Sequence, residues 1–130
     1  MVDLPSRSPV PITLGRMGNF FADYLAAWET LDVDKVMAFF TDDIEYRDMT
    51  IRHGAKGAEK MRRFVAASFA NVPDARFEYL RHHSTGTHYA IEWIMHPMGV
   101  EGVSVGELRA GRICRNRDYW NGAVYKVPNT

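Results

Sequence analysis

Apolar residues in this chain are spaced for helices up to about residue 70 and for strands from about residue 77 onward, with one short strand set between the helices. That segregation excludes the alternating βαβ units of a parallel sheet. It predicts an α+β fold with helices gathered on one side of a mostly antiparallel sheet. Met17, Phe20, Phe21, Tyr24, Leu25 and Trp28 form one face of an amphipathic first helix. Asp32 is placed to cap a second, short helix whose buried side is Val33, Val36, Met37 and Phe40, and a turn follows at Asp42 and Asp43. Residues 44–48 read as a strand at the sheet edge. Gly57 opens a third helix that buries Met61, Phe64, Val65, Ser68 and Phe69 and stops at Asn71-Val72-Pro73-Asp74. Residues 77–83, 89–96, 102–108 and 113–121 then form a four-stranded meander, with Ala110-Gly111 as its last hairpin turn.

A length of 130 residues suits one domain, and the predicted organisation is an extended arm over 1–14, a single domain over 15–125 and a short tail over 126–130. Sixteen basic and sixteen acidic residues leave no net charge, which argues against nucleic acid or an anionic membrane as partner. The single cysteine, Cys114, excludes an intrachain disulfide and a multi-cysteine zinc site. His82 and His83 point to opposite faces of one strand, so no metal is expected, and no cofactor. His83 and His96 are weighed as acid–base groups against a solvated position. No apolar run reaches membrane-spanning length and the N-terminus has no signal-like core, so the expected location is cytoplasmic.

The segments Trp28-x3-Asp32-Val33-Asp34-Lys35-Val36, Phe40-Thr41-Asp42-Asp43, Tyr46-Arg47-Asp48, Gly57-Ala58-Glu59, Gly111-Arg112-Ile113 and Arg117-Asp118-Tyr119-Trp120-Asn121 carry a resemblance. Over residues 15–122 the chain resembles the nuclear transport factor 2-like superfold, and within it the SnoaL-like proteins. Ketosteroid isomerases, limonene epoxide hydrolases and polyketide cyclases are relatives there. The resemblance implies a cone of three N-terminal helices packed on a curved, mostly antiparallel sheet that encloses a pocket. It narrows the fold more than the function, because the fold hosts many chemistries.

Tyr24 and Asp48, 24 residues apart, look like the tyrosine and aspartate of ketosteroid isomerases; the second acid of that family falls near Ser104 here. Tyr46, Asp48 and Asp118 are similar to three polar positions of limonene epoxide hydrolases, whose remaining arginine and carboxylate fall near Trp93 and Met95. Asp118 also resembles the acid–base aspartate of SnoaL-like cyclases.

Strand alternation then sorts the faces. Tyr46 and Asp48 share one, Trp93 and Met95 another, and Asn116, Asp118 and Trp120 a third; all three sets are expected to face the pocket. The candidate catalytic residues are Asp48, Asp118, Tyr46 and Tyr24. Trp93, Met95, Trp120, Asn116, Trp28 and Phe64 are the candidate substrate-binding residues. Asp48 is expected as general base, Asp118 as acid or orienting group, and a tyrosine hydroxyl as the stabiliser of developing negative charge. Each has a plainer reading: Asp48 as a turn former, Asp118 as partner of a neighbouring arginine, Tyr24 as core packing, the large apolar residues as wall. Gly102-Val103-Ser104-Val105-Gly106 spells a nucleophile-elbow pattern, but no helix follows it, so these small residues are read as making room.

The expected function is a cofactor-independent isomerase, dehydratase-type lyase or cyclase acting on a small hydrophobic ring-containing molecule. The alternatives are a non-catalytic small-molecule binder and a structural, partner-binding dimer. Tyr79, Ile94 and Tyr119, expected on the sheet's second face, point to a homodimer through that face.

Overall fold

The computed structural model describes residues 19–125; the arm expected over 1–14, Met17 and the tail over 126–130 lie outside them. Three helices, α1 (Phe20–Ala27), α2 (Val33–Met37) and α3 (Ala58–Asn71), pack on six strands: β1 (Phe40–Asp48), β2 (His53–Lys56), β3 (Arg76–Ser84), β4 (His88–His96), β5 (Val100–Arg109) and β6 (Arg112–Trp120). The strands form one curved sheet in the order β2-β1-β6-β5-β4-β3. Every neighbouring pair is antiparallel except β1 and β6, which run parallel. The α+β cone expected from the sequence is therefore the fold observed.

Local chemistry accounts for the element ends. Asn19 caps α1, its side-chain oxygen accepting from the backbone N–H groups of Phe21 and Ala22 at 3.1 Å each. Asp32 caps α2 as expected, accepting from Asp34 and Lys35. Between β5 and β6 the hairpin turn places Ala110 and Gly111 at φ 53° and 79°, the left-handed conformation that a two-residue hairpin requires. Val36, Ile44, Met61, Val65, Ile91 and Ile113 are fully buried between the helices and the concave face.

Four sequence-based expectations are corrected. Residues 44–48 do not form an edge: β1 is flanked by β2 and β6, and β2 is the edge strand. His53-Gly54-Ala55-Lys56 carries neither β-branched residues nor apolar alternation, so nothing local marks it as a strand. Phe40 belongs to β1 rather than to the second helix, which stops at Met37. Asp42 and Asp43 lie within β1 where its register with β6 shifts between Phe40 and Glu45, so the expected turn is a bulge. Finally, Tyr79 sits opposite Trp93 and so faces inward; Ile94 and Tyr119 lie on the convex face. A register shift between Tyr79 and Arg81 reverses the alternation along β3, bringing His82 inward, opposite Ile91.

The convex face is laced with charge. Arg81 pairs with Glu92, Arg115 with Glu45 and Glu107, and His96 with Glu78 at 2.9 Å. No helix among the described residues is long and apolar enough to cross a membrane.

Candidate functional site

β1 and β6 lie side by side, with Tyr46 opposite Asn116 and Asp48 opposite Asp118. β5 continues the row, with Ser104 opposite Asp118 and Gly102 opposite Trp120. β4 completes it with Ile91 opposite Ser104 and Trp93 opposite Gly102. Above this row α1 and α3 leave a cavity of about 730 Å³. Its wall includes Tyr24, Trp28, Tyr46, Asp48, Phe64, Trp93, Met95, Asp118 and Trp120. Nine of the ten candidate site residues thus face one space. Asn116 does not: it is 1 % exposed and lies behind Asp118.

Asp118 is the hub. Its Oδ1 accepts from Ser104 Oγ at 2.6 Å and from Asn116 Nδ2 at 2.8 Å, and its Oδ2 accepts from the Tyr46 hydroxyl. Among the described residues no arginine is hydrogen-bonded or paired with it; Arg115 pairs instead with Glu45 and Glu107 on the convex face. The residue is 8 % exposed. Burial pushes its carboxyl up to about 6, and the negative charge of Asp48 adds to the rise, while the donors from Ser104, Tyr46 and Asn116 pull the other way. The donors are themselves held. Trp93 Nε1 donates to Ser104 Oγ at 3.0 Å, and the Tyr89 hydroxyl donates to Asn116 Oδ1 at 2.5 Å, which turns the Asn116 amide nitrogen toward Asp118.

Asp48 ends β1 and combines the two readings the sequence left open. Its Oδ1 accepts from the backbone N–H groups of Thr50 and Ile51 at 3.0 and 3.1 Å, the turn-forming role. Its Oδ2 faces the cavity wall and accepts from Trp120 Nε1 at 2.8 Å.

Tyr24 is 1 % exposed, and its buried hydroxyl has no partner at hydrogen-bond geometry among the described residues. Burial, reinforced by the Asp118 charge and opposed by the Trp28 and Tyr46 side chains, raises its pKa far above the ordinary phenol value, so it stays a neutral O–H. Tyr46 is raised likewise, by burial first and Asp118 second. Its proton is already committed to Asp118, whereas that of Tyr24 is not.

The Gly-x-Ser-x-Gly segment lies within strand β5. A Cβ on Gly102 would stand 2.4 Å from the Trp93 indole. One on Gly106 would stand 2.0 Å from the Arg115 carbonyl oxygen and 2.7 Å from the Tyr89 hydroxyl. The glycines admit two aromatic rings onto the sheet, and Ser104 between them joins Trp93 to Asp118.

His83 and His96 lie on the convex face, away from the cavity. His53, on β2, lines the cavity instead, with Ile51, Lys60 and Arg63. The sequence reading missed this group because β2 itself was not legible. Among the described residues no cluster of three or more His, Cys, Asp or Glu side chains could hold a metal ion.

The Tyr46–Asp118 contact makes a checkable statement. Tyr46→Phe should destabilise the protein by about 1–3 kcal/mol at pH 8, where a buried anion loses a donor, and by less near pH 4.5, where Asp118 is protonated. Urea unfolding at the two pH values reads the difference; equal losses at both would show that the phenol is mere packing.

A family model described as the SnoaL-like domain matches residues 21–116. Solved structures share the fold. A SnoaL-like protein of unknown function from Burkholderia thailandensis is 19 % identical, with a TM-score of 0.73 over 86 % of this chain and 100 % of its own. A protein with a ketosteroid isomerase-like fold from Catenulispora acidiphila, in complex with trimethylamine, is 21 % identical, with a TM-score of 0.70 over 78 % of this chain and 85 % of its own. The epoxide hydrolase/cyclase-like enzyme SalBIII, of pyran ring formation in salinomycin, is 19 % identical, with a TM-score of 0.66 over 78 % and 88 %. No protein with a curated description matches the sequence. The family match takes in nearly all of the three helices and most of the cavity lining, and ends just before Asp118 and Trp120; the chain belongs to the SnoaL-like domain family.

Proposed function

We propose that this protein is a cofactor-independent acid–base enzyme, an isomerase, dehydratase-type lyase or cyclase, acting on a small hydrophobic ring-containing substrate. One observation carries the reading: a buried carboxylate, Asp118, and a buried hydroxyl without a partner among the described residues, Tyr24, face the same largely aromatic cavity. An unpartnered buried hydroxyl costs about 1–3 kcal/mol, which a substrate oxygen accepting its proton would relieve. A substrate carbonyl oxygen bound by Tyr24 would turn the carbon α to that carbonyl toward Asp118, whose charge Tyr24 feels.

The step is a proton transfer. Asp118 Oδ2 takes the proton from the carbon, the C–H electron pair moves toward the substrate oxygen, and the Tyr24 hydroxyl stabilises the enolate by hydrogen bonding. Returning the proton to another carbon gives isomerisation; expelling a leaving group gives elimination. This assigns the base to Asp118 rather than Asp48, because burial pushes the Asp118 carboxyl up to about 6 and so makes its carboxylate a better proton acceptor than an ordinary one. Asp48 serves by fixing Trp120 on the wall and by its charge on Asp118. The family match and the likeness to SalBIII support an enzyme of this kind.

A second reading, a binder without turnover, draws on the completeness of the Asp118 network: three donors hold the carboxylate as they would in a purely structural cross-link of β1, β5 and β6. The trimethylamine held by the Catenulispora protein is in keeping with it. The test is solvent deuterium exchange into polycyclic, phenolic and terpenoid carbonyl compounds, followed by mass spectrometry. Exchange that depends on the protein and disappears in Asp118→Asn is expected. Compounds that bind in the cavity by calorimetry yet exchange no proton would overturn catalysis in favour of binding alone.

A further inference from the structure

Charge is not spread evenly along the cavity. Asp118 and Tyr24 lie at its buried end, 8 % and 1 % exposed. Trp28, Phe64, Trp93 and Trp120 form the walls between. At the solvent end stand Ile51, 56 % exposed, and the exposed side chains of His53, Lys60 and Arg63. Asp48 and Asp118 are the acidic members of the lining; Asp118 is engaged by donors at the buried end, and Asp48, opposite His53, has its Oδ1 taken up by the Thr50 and Ile51 backbone and its Oδ2 by Trp120. The far end thus carries the Asp118 carboxylate, and the mouth carries the two cations Lys60 and Arg63 against Asp48, whose oxygens are already taken up by N–H donors.

Helix α3 sets this gradient by its period. Lys60, Phe64, Ala67, Ser68 and Asn71 recur at helical spacing along the cavity, with Arg63 beside them, so the first turns present cations where the helix leaves the mouth. Lys60 has no ion-pair partner among the described residues. Among the described residues Arg63 pairs with Glu59 alone, 3.4 Å away, the two side chains 64 % and 88 % exposed. Such a surface pair is weak and leaves most of the guanidinium's donors available.

We propose that the substrate carries a carboxylate at the end remote from its reacting ring, held at the mouth by Lys60 and Arg63. The proposal rests on reading the cavity as the substrate site and adds the orientation. A carboxylate directed inward would meet Asp118; directed outward, it meets two cations and the histidine of β2. The ring then fills the aromatic section and its oxygen reaches Tyr24. A neutral substrate would gain nothing from the mouth and would have no such preferred direction.

Calorimetry with naphthylacetate and its methyl ester tests this, since the two differ in charge and hardly in shape. The acid is expected to bind about tenfold tighter than the ester at neutral pH and low salt, and the gap should narrow as salt screens the exposed mouth. Lys60→Gln with Arg63→Gln, both at exposed helix positions, should bring the acid down to the affinity of the ester and leave the ester unchanged. Equal affinities in the unaltered protein, or a gap that survives the double substitution, would overturn the carboxylate assignment while leaving the cavity a ligand site. Failure of both compounds to bind would overturn the cavity reading along with it.

Discussion

Replacing Asp118 with asparagine should lower turnover by roughly 10²–10⁴-fold while making the protein harder to unfold at pH 8. The first half follows from removing the proton acceptor. The second follows from burial. In the folded protein the Asp118 carboxyl titrates at about 6, against an ordinary value of 3.8. Between those values the folded chain holds a proton that the unfolded chain has released, so stability falls as pH rises through the window. Below about pH 4 both states are protonated and the burden is absent; above about pH 6 it is present in full, on the order of 2–3 kcal/mol at 1.36 kcal/mol per unit. Asparagine is a fair neutral stand-in. Its oxygen can accept from Ser104 and Asn116, and its amide can donate to the Tyr46 oxygen, the phenol turning its own proton aside. Denaturant unfolding of the two proteins at pH 8, 6 and 4 should show a gain for the variant that shrinks toward zero with acid. A variant that is less stable at every pH would mean that the carboxylate network holds the sheet together more than it strains it. Activity retained in such a variant would remove Asp118 as base. Gain of stability with loss of turnover is the usual signature of a site held in a costly state for its chemistry.

Gly106→Ala should cost at least the upper part of the roughly 1–3 kcal/mol range for an overpacked position. The added methyl group would stand 2.0 Å from the Arg115 carbonyl oxygen, a backbone atom within the β5–β6 ladder that cannot rotate away. Relief requires the two strands to part near the register shift between Glu107 and Leu108. It also displaces the Tyr89 hydroxyl, 2.7 Å from the same methyl position, and with it the orientation of Asn116 toward Asp118. Gly102→Ala provides the contrast. Its obstacle is the Trp93 indole at 2.4 Å, a side chain able to swing into the cavity once its bond to Ser104 breaks. That variant should lose less stability and show altered tryptophan fluorescence. Urea unfolding measures both, and a Gly106→Ala loss below about 0.5 kcal/mol would mean that the strand accommodates the methyl without parting.

The period of a strand is local, and so the sequence by itself determined which residues share a face. Tyr46 with Asp48, Trp93 with Met95, and Asp118 with Trp120 were legible because side chains alternate every two residues whatever the strand's neighbours are. The helical spacing of Phe21, Tyr24, Leu25, Met61, Phe64 and Val65 was legible for the same reason, as was the cap at Asp32. Register belongs to another class. That β1 lies parallel to β6, so that a phenol from residue 46 meets a carboxylate from residue 118, depends on how two strands 72 residues apart in sequence settle against a common core. Only the tertiary structure decided that Asn116 lies behind the site rather than in it, because the Tyr89 ring occupies the space on that side. It also decided that Tyr79 turns inward, since the bulge beside it belongs to the β3–β4 pairing and leaves no mark in Phe77-Glu78-Tyr79-Leu80. The short strand β2 forms because it is the neighbour of β1, not because of its own residues, and His53 could be placed at the cavity mouth only once that pairing existed. Burial is likewise a property of the assembled fold: it pushes the Asp118 carboxyl up to about 6 and leaves the Tyr24 hydroxyl without a partner among the described residues, and no count of neighbours along the chain contains it.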